Sequence, residues 1–273
     1  MGFAVAKIAV SHAGPMTILA LRYSLLLLIL APIALVIRPP MPSSRRALAD
    51  IAIVGFLIQV VYFGLCYLAF KSGVSAGGVA IIVCLQPILV ALSAPYTVGE
   101  RIGIKGWIGL ILGLVGAALV IFGRSSIEVE NATGLVLAFF ALFGITSGTL
   151  WEKRFGVSHH PVTSNLIQYT VGALFAVPLA LLSESQAIAW DTEFVAALAY
   201  LVLANSLLAM SLLLAMIRAG EVSRVSSLFY LVPAISALFA WPLLGEAMPP
   251  LSWAGMALAG VGVALVSRKS PLR

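Results

Sequence analysis

Long apolar runs, cut at short intervals by proline, glycine and charge, make up almost the whole chain. They cover residues 1–10, 16–37, 50–70, 74–97, 103–123, 133–153, 161–182, 194–217, 222–244 and 250–268. An α-helix rises about 1.5 Å per residue, so about 20 residues cross a hydrocarbon core about 30 Å thick. The runs are continuous rather than alternating, which predicts helices and excludes a membrane barrel. The punctuation agrees. Pro15 and Pro161 stand where helices would begin, a position that tolerates proline. Arg38-Pro39-Pro40-Met41-Pro42 closes the second run, Lys71-Ser72-Gly73 makes a tight turn, and Gly99-Glu100-Arg101 and Gly245-Glu246 follow the fourth and ninth. The pattern predicts an all-α integral membrane protein of about ten transmembrane helices.

A shift of 146 residues lays the chain on itself without a gap. Lys7, Pro15, Thr17, Tyr23 and Pro32 fall on Lys153, Pro161, Thr163, Tyr169 and Pro178. Pro87, Gly99, Glu100, Trp107, Gly109 and Gly116 fall on Pro233, Gly245, Glu246, Trp253, Gly255 and Gly262. Apolar composition produces chance Leu and Ala matches, but not proline, tryptophan, lysine and Gly-Glu matches in one register. We therefore expect two repeats, 1–123 and 124–273, of five helices each. An odd number of crossings makes the second repeat run in the opposite sense to the first, the inverted arrangement found in many secondary transporters. In this register Met1 aligns with Ser147, well inside the sixth run. The first helix is therefore expected to lack roughly 13 residues of its start, and its ten residues would reach only about 15 Å.

Composition sharpens this picture. The chain has 273 residues, 62% hydrophobic and only 10% charged, with a mean hydropathy of +1.11. Soluble domains carry about 25% charged residues, so no sizeable soluble domain is expected. The net charge of +6 is scattered rather than gathered into a basic face, which excludes a nucleic-acid partner. It instead orients the chain. With the N-terminus cytoplasmic, Arg38, Arg45, Arg46, Arg101, Lys105, Lys153, Arg154, Arg218, Arg224, Arg268, Lys269 and Arg273 lie inside. Glu128, Glu130, Glu184, Asp191, Glu193 and Glu246 then lie outside. Lysine and arginine favour the inner side, so both termini are expected to be cytoplasmic, in a bacterial inner membrane. Cys66 and Cys84 lie inside spans and read as small packing residues. No Ser/His/Asp set, phosphate loop or zinc spacing is present, so no catalytic residue, cofactor or metal is expected.

Candidate chemistry comes from polar groups within the spans. Gln59 and Asn205 are repeat partners near the middles of the third and eighth spans, and an amide in hydrocarbon needs a partner or a wet cavity. They either tie helices together or line a substrate cavity between the halves. Tyr62, Phe63 and Cys66 follow Gln59 at i+3, i+4 and i+7, on one helical face. Gln86-Pro87 and Tyr230 with Pro233 form a second pair. An interior proline frees a carbonyl and kinks a helix, so Pro87 and Pro233 are candidate hinges or simply static shape. Trp151 suits either the interfacial belt or a cavity wall. Lys7 and Arg22 are the in-membrane cations; they either snorkel outward or attract a substrate carboxylate. No carboxylate lies at mid-membrane, which favours weak or absent proton coupling. Gly106, Gly109, Gly113 and Gly116, with Gly255, Ala259 and Gly262, allow close helix approach, within one chain or between two, so the protein is expected as a monomer or homodimer.

Ala4-Val5-Ala6-Lys7, Pro15-Met16-Thr17, Leu21-Arg22-Tyr23 and the two Pro-to-Gly-Glu segments resemble the drug/metabolite transporter superfamily, in its EamA-type ten-helix branch. The resemblance spans nearly the whole chain and departs at the short first helix. It implies a secondary transporter working by alternating access, not an enzyme. The aromatic and amide candidates are similar to what bacterial YddG-type amino-acid exporters would use, which implies export of aromatic or other apolar amino acids. A drug, nucleoside or sugar carrier of the same superfamily is the nearest alternative, although a phosphorylated substrate would want more cations than Lys7 and Arg22. A membrane-embedded lipid-modifying enzyme would need clustered acid, base or metal groups at one depth.

Overall fold

The computed structural model describes residues 2–124, 132–156, 159–185, 187–244 and 249–267. Gly245-Glu246, Glu128, Glu130 and the basic residues 268–273 lie outside them. Every regular element among the described residues is helical. In chain order these are α1 (Gly2–His12), α2 (Pro15–Ile37), α3 (Arg45–Lys71), α4 (Ala76–Thr97), α5 (Ile104–Arg124), α6 (Ala132–Phe155), α7 (Pro161–Ser183), α8 (Thr192–Ala219), α9 (222–244) and α10 (Pro250–Ser267). Eight are long and apolar enough to cross a membrane; Val222–Leu238 of α9 is a shorter apolar helix, and α1 has only 11 residues. Large apolar side chains such as Leu28, Val36, Phe140, Leu174, Leu182 and Leu208 stand exposed on the outside. That surface is stable against acyl chains and not against water.

Starts and stops follow local chemistry. The Ser44, Ser75 and Asp191 side chains accept the backbone N–H of Ala47, Gly78 and Phe194 at the heads of α3, α4 and α8, meeting part of the unsatisfied first turn. Long-range caps do the same work across the fold. Glu100 accepts Val222 N–H at 2.9 Å and Ser223 N–H at 3.2 Å at the start of α9. Glu184 accepts Met16 N–H and Thr17 N–H at the start of α2. Lys7 donates to Phe70 O at 2.7 Å, and its repeat partner Lys153 to Gly220 O at 2.7 Å. Each ammonium closes the carbonyl end of a helix, α3 or α8, where positive charge is favoured.

The packing repeats with the sequence. α2 lies on α7, its own partner in the other half, and α5 lies on α10. α3 packs on α6, and the equivalent contact of α8 is with α1. The α5–α10 crossing uses the glycines: a Cβ on Gly109 would meet Gly262 O at 2.6 Å, and one on Gly116 would meet Gly255 O at 2.7 Å. The small-residue faces of these two helices are therefore spent against each other within one chain. The mutual pairing of Gly109 with Gly262 and Gly116 with Gly255 is what a two-fold relation between inverted halves requires.

Two irregularities also occur in pairs. The middle of α3 is π-helical over Phe56–Tyr62, and the middle of α8 over Leu201–Met210; the 146-residue shift carries 56–62 onto 202–208. α4 is broken between Val83 and Gln86. α9 is divided into Val222–Ser227, a 3₁₀ turn Leu228–Tyr230, and Leu231–Leu244. Pro87 lies in the first turn of the second piece of α4, which explains why the helix restarts there. Its repeat partner Pro233 follows the 3₁₀ turn of α9.

Candidate functional site

A concavity of about 330 Å³ lies between α1, α3, α8 and α9. It therefore draws on both halves. α3 supplies Tyr62, Phe63, Cys66, Tyr67 and Phe70; α8 supplies Asn205, Met210, Leu213 and Met216; α9 supplies Leu228, Phe229 and Val232. Among the described residues its wall is aromatic and aliphatic, with nitrogen, oxygen or thiol side-chain atoms from Tyr62, Cys66, Tyr67 and Asn205. The Tyr62 and Phe63 rings are 4.7 Å apart.

The structure brings Tyr62, Phe63 and Asn205 together at this cavity and sets the other sequence candidates elsewhere. Gln59 is 1% exposed and borders a separate void of about 10 Å³ with Met16, Gly64, Gly172 and Phe175. Gln59 turns from the Tyr62–Phe63 face towards Gly172 of α7. Asn205, on the matching π segment, faces the cavity. Gln86 is fully buried at the α4 break, where its Nε2 donates to Thr149 Oγ1 at 3.3 Å and Ser226 Oγ at 3.2 Å, tying α4 to α6 and α9. Tyr230 is fully buried against Gly113, with its hydroxyl unpartnered. It packs in one cluster with its repeat partner Cys84, so the two helix breaks meet. Trp151, near the end of α6, lies against the start of α3, donating from Nε1 to Asp50 Oδ1 at 3.2 Å, with its ring centre 4.9 Å from that of Phe155 at a tilt of 48°.

Arg22 is the residue that the sequence left least decided. Seven residues past Pro15, it sits about 10 Å into α2, and it does not snorkel: its exposure is 0%. Its Nε donates to Ser206 Oγ at 2.5 Å and its Nη1 reaches Tyr67 OH at 3.4 Å, while Nη2 has no partner. The guanidinium carbon lies 4.1 Å from the Phe63 ring centre, a cation–π distance. Phe63 and Tyr67 are walls of the cavity, so the charge stands one aromatic layer behind it. Around it runs a frame built twice. Tyr23 OH donates to Gln59 O at 2.7 Å, and Tyr169 OH to Ser206 O at 3.0 Å, fixing the two π segments in the same way. Tyr67 and Phe70 were legible as extensions of the Phe63 face at i+4 and i+7; the aliphatic wall from α8 and α9 carried no such signal.

At one membrane face a second charged cluster closes the bundle. Glu152, 0% exposed, accepts from Arg218 Nε, and Arg218 Nη1 donates to His159 O at 2.8 Å. At the opposite face, His12 Nε2 lies 3.1 Å from Asp191 and 3.6 Å from Glu193.

Comparison with known proteins places these features in context. The EamA-like transporter family matches residues 1–122 and again 132–268. A Bacillus subtilis protein named "Uncharacterized transporter YvbV" is 26% identical over 269 residues, 97% of this chain and 87% of its own length. A Salmonella typhimurium protein named "Probable amino-acid metabolite efflux pump" is 24% identical over 273 residues, 96% of this chain and 89% of its own. A solved crystal structure superposes with a TM-score of 0.78 at 17% identity, covering 97% of this chain and 94% of that one, and so has the same fold.

Proposed function

Because this chain belongs to the EamA-like transporter family, and is a multi-pass membrane transporter, we propose that it exports small apolar or aromatic amino acids, or compounds derived from them, by alternating access. The observation that carries this reading is the cavity of about 330 Å³ between the two halves, walled by Tyr62, Phe63, Tyr67 and Phe70 and facing one amide, Asn205. An aryl or branched side chain buries well against such a wall, at about 25 cal/mol per Å² of apolar surface removed from water. Nucleosides and sugars would leave many hydroxyls unpaired there. The efflux-pump names of the Salmonella typhimurium and Escherichia coli relatives support the direction and the substrate class.

In this reading 1–123 and 124–273 are the two moving halves, and Tyr62, Phe63 and Asn205 contact the substrate. Pro87 and Pro233, at the paired helix breaks, act as hinges, with Gln86 and Tyr230 beside them. Both termini are cytoplasmic in an inner membrane, so a reporter fused after Arg273 is active only in its cytoplasmic form.

The test is counterflow in proteoliposomes loaded with phenylalanine or leucine, against a panel of amino acids, nucleosides and sugars. Exchange should be accelerated by apolar amino acids. Asn205→Ala should raise the half-saturating concentration by about two- to threefold, the lower end of what one hydrogen bond contributes. Exchange driven by nucleosides or sugars but by no amino acid would refute the reading.

A further inference from the structure

We infer that Arg22 is the carboxylate-recognising group of the cavity, and that the site therefore takes compact apolar monocarboxylates whether or not they carry an amino group. This deepens the transport reading above and rests on it. The inference starts from what each buried cation does. The Lys7 ammonium is spent on Phe70 O, Lys153 on Gly220 O, and Arg218 on Glu152. Among the described residues Arg22 has neutral hydrogen-bond partners only, Ser206 and Tyr67, and one nitrogen without any. A charge held inside a membrane protein without a counter-ion is costly.

The fold does not need that charge. The 146-residue shift carries Arg22 onto Gln168, which holds the equivalent place on α7 as a neutral side chain and is likewise 0% exposed. The neighbouring tyrosines, Tyr23 and Tyr169, each donate to a backbone carbonyl of the π segment in their own half. The fold accommodates an uncharged amide at this position, its Nε2 and Oε1 likewise without a hydrogen-bond partner among the described residues, and the positive charge is an addition to one half alone. It stands on the side where the cavity is, in contact with two wall residues, Phe63 and Tyr67.

A guanidinium presents a planar fork that matches a carboxylate. A carboxylate entering the cavity reaches it when the Tyr67 or Phe63 side chain swings aside, and gains the counter-ion that the protein itself withholds. Among the described residues, no acidic side chain lines the cavity. The ammonium of an amino acid meets only Asn205 Oδ1, tyrosine hydroxyls and ring faces, so it contributes little to recognition.

The test measures both binding and transport on the purified full chain. In detergent, 3-phenylpropanoate and phenylalanine should raise the melting temperature at similar concentrations, within about threefold, while phenylalaninamide should need at least about tenfold more. Arg22→Gln, which copies the other half, should lose at least about tenfold in affinity for both carboxylates and leave the response to the amide unchanged. Arg22→Lys should keep part of the preference, as a point charge without the fork. Equal potency of amide and carboxylate on the parent overturns the inference even if no variant folds. So does a folded Arg22→Gln that keeps the carboxylate preference. Carboxylate binding that depends on Arg22, with no counterflow of amino acids, defeats the amino-acid export reading and leaves this inference standing. Counterflow of phenylalanine unaffected by Arg22→Gln does the reverse.

Discussion

The α5–α10 crossing offers a measurable test of how the halves are joined, because the same chemical change can be made at two glycines with opposite consequences. A Cβ added at Gly116 would stand 2.4 Å from Ala259 N, 2.7 Å from Gly255 O and 2.9 Å from Ala259 Cα. All three are backbone atoms, so no side chain can turn away. Ordinary contact begins at 3.4 Å, and the helices must part by about 1 Å to admit the methyl group. Overpacking of this kind costs about 1–3 kcal/mol. At Gly260, on the same crossing partner α10, an added Cβ meets nothing within 4 Å. Alanine there gains about 0.5–1 kcal/mol, because glycine weakens a helix interior by that amount. The gain applies equally at Gly116, so it cancels in the comparison. Gly116→Ala should therefore be less stable than Gly260→Ala by about 1–3 kcal/mol. The assay is reversible unfolding in mixed micelles by titration with SDS, followed by tryptophan fluorescence, with Gly260→Ala equal to the parent or slightly above it. A Gly116→Ala protein as stable as Gly260→Ala would refute the close crossing, and with it the view that these glycines join the two halves rather than two chains.

Three further outcomes follow from named contacts. Arg218→Met leaves the buried Glu152 carboxylate without its partner and should cost about 3–5 kcal/mol; adding Glu152→Gln should recover most of it in the same unfolding assay. Tyr23→Phe and Tyr169→Phe each remove one hydrogen bond to a π segment and should cost about 0.5–1.5 kcal/mol apiece. Their rings are 5.8 Å apart, so a double variant whose cost equals the plain sum would contradict the coupling expected of neighbours. His12, at the end of α1, is held above its ordinary value of 6.5 by its hydrogen bond to Ile8 O and then by Asp191 and Glu193. A raised value means that the protonated form stabilises the fold, fully below pH 6.5 and progressively less as pH rises through the folded value. The difference in melting temperature between the parent and His12→Gln should be largest in mild acid and shrink towards alkaline pH; a difference that grows with pH would show the sign to be wrong.

Much of this protein could be read from its residues because its information is local and written twice. Proline and glycine cut the chain into helices at the positions observed, from Pro15 at the head of α2 to Pro161 at the head of α7. One 146-residue register tied Lys7 to Lys153 and Gly109 to Gly255 before any contact was known. What stayed hidden was the rotation of each helix about its own axis. In water, a helix shows its inner face by being apolar there and polar elsewhere. In lipid both faces are apolar, so nothing along α2 or α8 says which side meets the bundle. That is why Gln59 and Asn205, identical in register and both on π segments, part company in space: the packing of α3 against α7 takes up the one, and the packing of α8 leaves the other on the cavity. For the same reason the sequence could offer Arg22 only as a cation at a certain depth. Its place behind Phe63 and Tyr67, without an acid to meet it, exists only once α2, α3 and α8 have been packed together.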